Sequence, residues 1–187
     1  MKAQSMKADQ SKASREMQVF LEFIEKSGLP IERDSVENRP PPEPDILCMH
    51  KEEGFIAFEL GELCNEEIAE TIAKDIRSGN TEPRFMWIAD PTHRTICKKL
   101  EKKYQTKHPI ELLCYTAARL VTTDNEIIQK AQDIIELRGL GMFRRMWLLG
   151  ERSVWRLGEE GCQIISVRSI FRMTGATGWL ARGGAGL

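Results

Sequence analysis

Nowhere does the chain carry an apolar run near the ~18–20 residues that a membrane helix needs. Residues 1–9, Met-Lys-Ala-Gln-Ser-Met-Lys-Ala-Asp, lack the apolar stretch of a signal peptide. The five cysteines, at 48, 64, 97, 114 and 162, are odd in number, scattered and never in C-x-x-C spacing. That pattern argues against a disulfide framework and makes a reduced, cytoplasmic setting the expectation. No internal repeat is present, which excludes solenoids and propellers. A strong charge of either sign is also missing. With 27 Lys+Arg against 28 Asp+Glu the net charge is −1, which excludes a histone-like or tail-driven nucleic-acid binder.

What is present suits one domain. The 187 residues are 41% hydrophobic and 29% charged, enough for a core and for a charged surface. Charge is unevenly spread. Residues 138–187 hold 8 Arg, no Lys and 3 Glu, so their balance is +5, while residues 1–137 balance at −6. A guanidinium can fork onto two phosphate oxygens, which makes Arg144, Arg145, Arg152 and Arg156 the candidate nucleic-acid contacts. The plainer reading places them on the solvent face of late strands.

Along the chain, residues 1–13 are polar and read as a flexible leader. Met17, Phe20, Leu21 and Ile24 have helical spacing, with Ser14 as N-cap and Gly28-Leu-Pro30 as the stop. The proline-rich stretch from Glu37 to Pro44 can continue neither a helix nor a central strand. Asp45–His50 and Phe55–Leu60 then predict a hairpin around the turn Lys51-Glu-Glu-Gly54. Helices are predicted over 66–77, over 92–104 with Thr92 as cap, and over 124–137, ended by Gly139. Strands are predicted at 85–89, 110–115, 145–149 and 153–157, with an edge strand at 164–167. The glycine-rich segment 173–187 reads as a flexible tail, leaving 14–172 as the single domain. Interleaved helices and strands give an α/β class, a mixed sheet flanked by helices.

Chemistry concentrates at Pro44-Asp45 and, after thirteen intervening residues, Glu59-Leu60-Gly61. Antiparallel neighbours lie only ~4.8 Å apart, so carboxylates on paired strands can reach one hard divalent cation. The Leu60 carbonyl is a natural third ligand. Glu59 interrupts an otherwise apolar strand, on the face opposite Ile56, Phe58 and Leu60, where a charge needs a partner or a metal.

At these residues the sequence resembles the PD-(D/E)XK nuclease superfamily, the restriction-endonuclease-like fold. The resemblance implies an αβββαβ core over residues 15–157. It also implies a Mg²⁺- or Mn²⁺-dependent phosphodiesterase acting on DNA or RNA, with Asp45 and Glu59 as metal ligands. Where the family motif carries a lysine two residues after the glutamate, this chain has Gly61. Three expectations follow. Lys74 or Lys51 supplies the displaced basic group; or Glu62, turned by a strand bulge, enlarges an acidic site; or the chemistry is lost and the fold serves as a nucleic-acid or protein binding module. A glutamate of the first helix, Glu22 or Glu25, is a further ligand in some members of this superfamily. Unpaired strand edges permit a homodimer without requiring one.

Weaker signals take plainer readings. His93 and Cys97, at i and i+4, could share a metal, but no second ligand pair has matching spacing. Lys98, Lys99, Lys102, Lys103 and Lys107 form the densest basic run, read as a solvated helix face, with contact to a nucleic-acid backbone as the alternative. Cys48, Cys114, Trp147 and Trp155 are expected in the core.

Overall fold

Helix α1 starts earlier than its apolar spacing predicts. The computed structural model describes residues 2–64, 77–79, 90–116 and 122–167, and in it α1 runs unbroken over Lys2–Ser27. Ser14 therefore lies inside the helix rather than capping it, and residues 2–13 belong to it. The reason is local propensity: the segment is rich in Lys, Ala and Gln, and residues 1–27 contain no Gly or Pro. Gly28 ends the helix at φ 68°, its N–H donating to the Ile24 carbonyl at 3.0 Å.

Among the described residues the strands are β1 (Glu37–Asn38), β2 (Ile46–His50), β3 (Gly54–Leu63), β4 (Ile110–Thr116), β5 (Phe143–Leu149), β6 (Ser153–Gly158) and β7 (Gly161–Val167). They form one mixed sheet whose spatial order follows the chain. The predicted hairpin is present, with β2 and β3 antiparallel and Ile46 opposite Phe58. Strands β3, β4 and β5 run parallel, and β6 and β7 return antiparallel. Between the parallel strands lie α2 (Thr92–Glu101) and α3 (Asp124–Arg138).

Alternation along the strands divides the core by face. Phe20 and Phe23 of α1 are fully buried against Ile46, Phe58, Leu113 and Trp147, with Phe20 and Phe58 ring centroids 4.8 Å apart. The other face packs Leu63, Leu112, Cys114, Met146 and Leu148 under Ile96 and Leu100 of α2 and Ile127, Ile134 and Ile135 of α3. Burying each of these larger side chains contributes about 1.5–3 kcal/mol.

The caps differ from expectation at α2 and add to it at α3. Thr92 is the first residue of α2, and Asp90 takes the capping role, accepting from the Thr92 N–H at 2.9 Å and from its hydroxyl at 2.6 Å. Thr123 and Glu126 form a reciprocal capping box at α3. The helix and strand predicted at 66–77 and 85–89 lie outside the described residues, as do Lys74 and the tail 173–187. Among the described residues no helix is long and apolar enough to cross a membrane.

Candidate active site

The β2–β3 ladder ends at Ile46 opposite Phe58, yet β3 continues to Leu63 and there pairs, among the described residues, with β4 only. A notch in the sheet results beside residues 59–63. Asp45, one step beyond the last pair, faces Glu59 across it. The N–H and C=O of one strand residue address the same neighbour. Leu60 N–H donates into the notch to Asp45 Oδ2 at 2.9 Å, so the Leu60 carbonyl opens on that side too.

Glu59 is completely buried. Its Oε1 accepts from Lys99 Nζ at 2.5 Å and from Lys102 Nζ at 3.1 Å. Its Oε2 is buried and engaged by neither lysine, and the hydroxyl of Tyr104 is also buried. Burial, followed by the negative charge of Glu59 and a hydrogen bond toward it, pushes the Tyr104 pKa upward, so this hydroxyl is the group that lies against the Glu59 carboxylate. The two lysines come from the end of α2 and the residue just past it. The basic run is therefore not a uniformly solvated face, because Lys99 and Lys102 turn inward onto a buried carboxylate.

Through the notch α1 adds Lys12 and Glu16. Lys12 Nζ lies 3.1 Å from Glu16 Oε1 and 3.8 Å from Asp45 Oδ1. Burial and then the charge of Glu59 raise the Asp45 pKa, against the Leu60 N–H and the nearby Lys99 and Lys12. Glu16 is likewise raised, by burial and then by Asp45. Glu16, rather than Glu22 or Glu25, is thus the first-helix glutamate at the site. Glu22 pairs along the helix with Lys26.

Gly61 bears on the missing motif lysine. A Cβ built there would meet Cys114 Sγ at 3.4 Å and the Lys99 Cγ and Cε, each at 3.9 Å. The Lys99 stem therefore runs beside the space that a side chain at 61 would enter. Lys51 is elsewhere: it is exposed in the β2–β3 turn, six residues and about 20 Å of strand from Asp45. Glu62 does not join the acidic pair either. The β3–β4 register is regular throughout, so Glu62 points to the α1 face, where Arg15 holds it at 2.6 Å.

The late arginines form a separate centre on that same α1 face. Buried Glu111 accepts from Trp147 Nε1 at 2.6 Å, from Arg144 Nη2 at 2.5 Å and, more distantly, from Arg145 Nη1 at 3.3 Å. Both guanidiniums also grip Glu53 of the β2–β3 turn. Arg156 donates to Gln163 at 2.6 Å, and Arg152 is exposed after β5. None of the four pairs with Asp45 or Glu59, and Arg144 and Arg145 are occupied by carboxylates. The partners of Glu59 are thus lysines, and the arginines of β5 pair instead with Glu111, which the sequence did not single out.

His93 and Cys97 approach only to 3.8 Å between Sγ and Nε2. Burial pushes the Cys48 and Cys114 thiols up to about 12, so both remain protonated core residues. Among the described residues no group of three or more His, Cys, Asp or Glu side chains is placed to hold a metal ion. The groups that could hold a hard cation are the two carboxylates of Asp45 and Glu59 with the Leu60 carbonyl. No protein-family model, curated protein or solved structure matches the chain.

Proposed function

We propose that the chain is a divergent PD-(D/E)XK-like phosphodiesterase acting on nucleic acid, with Lys99 in place of the motif lysine. The observation that carries this reading is the juxtaposition at the notch. Two carboxylates face each other across a hairpin, and a lysine from another element lies along the glycine where the motif lysine is missing. The consecutive strand order, with β2 running against its neighbours, is compatible with a restriction-endonuclease-like core.

The donor chemistry fits a hard divalent cation. Asp45, Glu59 and the Leu60 carbonyl offer oxygen only, and Glu59 Oε2 is buried and is not engaged by the lysines that hold Oε1. A cation of this kind, when bound, supplies positive charge to a phosphate and acidity to water. The remaining work falls to the chain. The Leu60 N–H fixes the Asp45 carboxylate. Lys99, partly buried, holds an ammonium beside the reacting position, where low local polarity strengthens its pull on a phosphate oxygen.

The test is cleavage of labelled DNA and RNA in Mg²⁺ or Mn²⁺. Asp45→Asn and Glu59→Gln should abolish cutting, and Lys99→Met should lower it by about 100-fold. Cutting that survives in Asp45→Asn and Glu59→Gln overturns the assignment. A second reading has its own support. Because Lys99 and Lys102 both sit on Glu59 Oε1, they already neutralise the position a cation would occupy. A wild-type protein that binds nucleic acid but never cuts it would establish a silent binding module instead.

A further inference from the structure

Beside the carboxylate pair lies a cavity of about 380 Å³ that the proposed chemistry does not use. Lys12 and Arg15 of α1, Glu62 at the end of β3 and Tyr115 of β4 line it, together with Leu60 and Lys99 of the site itself. It is therefore continuous with the notch. Building on the phosphodiesterase reading, we propose that this cavity holds the phosphodiester adjacent to the one at Asp45 and Glu59, gripped by Lys12 and Arg15.

The side chains divide by exposure. Lys12 and Arg15 are 66% and 53% exposed, whereas Lys99 is 22% exposed and committed to a buried carboxylate. The outer two can meet an incoming backbone, while the inner one cannot leave the site without stranding Glu59. Lys12 and Arg15 are three residues apart on one helix, so their side chains rise from the same face. Arg15 reaches Glu62 through Nη1 at 2.6 Å, and the Tyr115 hydroxyl lies 3.5 Å from the same Glu62 oxygen. That contact steadies the guanidinium at the cavity mouth while using one of its five donors, and the others suit a forked contact with phosphate. Lys12 pairs with Glu16 and Arg15 with Glu62, while Lys99 is matched by Glu59, so an anion would be held here by the remaining N–H donors of the two exposed cations rather than by an excess of positive charge.

The experiment is equilibrium binding by fluorescence anisotropy, without divalent metal so that nothing is cut. The probes are a short labelled single strand and the same sequence as a duplex, titrated from about 50 to 200 mM salt. Each lost phosphate contact should flatten the log K against log salt slope by about 0.7 on the single strand or about 0.9 on the duplex. Lys12→Ala and Arg15→Ala should each do so on the probe that the cavity prefers. Arg15→Lys, which keeps the charge, and Lys51→Ala, in the distant turn, should keep the wild-type slope. Unfolding midpoints close to wild type confirm that these exposed replacements leave the fold intact. Unchanged slopes in both alanine variants, or a wild-type protein that binds neither probe, overturn the proposal. If the slopes shift as expected while metal-supplemented protein never cuts, the hydrolytic reading fails and the phosphate subsite stands.

Discussion

In the proposed site, Lys99 brings from a different element the ammonium that Gly61 cannot supply. The lysine stem passes the glycine within van der Waals distance of where a Cβ would stand. A longer side chain at 61 would compete for that path. The two positions are thus alternatives for one ammonium, which gives a direct prediction. Lys99→Ala should lose nearly all cleavage, and adding Gly61→Lys to it should restore a measurable part. Gly61→Lys alone should gain nothing, because two stems then contend for one channel. A double variant as inactive as Lys99→Ala would show that the ammonium at 61 cannot serve. The pairing of Asp45 with Glu59 was readable from the chain, since period-two alternation and a tight turn fix which hairpin residues oppose. Lys99 was not readable. It lies 40 positions from Glu59, and the rotation of α2 about its axis decides which lysines face in. Ile96 and Leu100 mark the buried stripe, but spacing alone cannot tell whether a flanking lysine meets solvent or a buried carboxylate. Glu16 was missed for a similar reason: it lies inside the helix expected from Ser14, but spacing alone does not tell which turn of that helix stands beside the notch.

At the scale of elements, Glu111 ties together three of them. It sits at the start of β4, accepts from Trp147 and Arg144 of β5, and shares both arginines with Glu53 in the β2–β3 turn. Arg144 and Arg145, from the arginine-rich end of the sequence, thus have carboxylate partners inside the fold. Sequence reasoning placed β4 and β5 almost to the residue, because continuous apolar runs flanked by turn signals are distinctive of parallel strands. It could not pair them, since parallel neighbours come from distant segments and carry no hairpin signal. Removing Glu111 leaves the Trp147 N–H and two guanidiniums without their shared acceptor. Glu111→Ala should therefore cost about 3 kcal/mol, the low end for breaking a buried pair, because Arg145 and Arg144 remain 27% and 35% exposed. Glu111→Gln, which keeps an acceptor, should cost less. Urea unfolding curves with unchanged slope would measure both, and an alanine variant as stable as wild type would show the network to be dispensable.

For the molecule as a whole, acid acts in opposite directions at different carboxyls. Glu53 is held below its ordinary value by hydrogen bonds from Arg145, and Glu126 by the Thr123 N–H. For Asp90, burial works the other way, but hydrogen bonds from Lys130 and Thr92 outweigh it. Such groups stabilise the fold above their unfolded pKa and lose that contribution as pH falls. Asp45 and Glu16 run the other way. A carboxyl raised in the folded state binds more protons there, so its contribution is most favourable in acid and declines as pH rises from the unfolded value through the folded one. Ionising Asp45 in the folded state therefore costs stability, a cost that a cation bound at the proposed site would offset. Asp45→Asn should raise the unfolding midpoint at pH 7, where the wild-type carboxylate repels Glu59. The gain should shrink to nothing near pH 3, below the ordinary value of 3.8. Millimolar Mg²⁺ or Mn²⁺ should close the same gap from the other side, raising the wild-type midpoint and leaving the variant unmoved. At a hundredfold excess over its dissociation constant, the cation should contribute about 2.7 kcal/mol. A variant less stable than wild type at pH 7, or one stabilised by the cation as much as wild type, would mean that the carboxylate at 45 holds the fold together rather than waiting for a ligand.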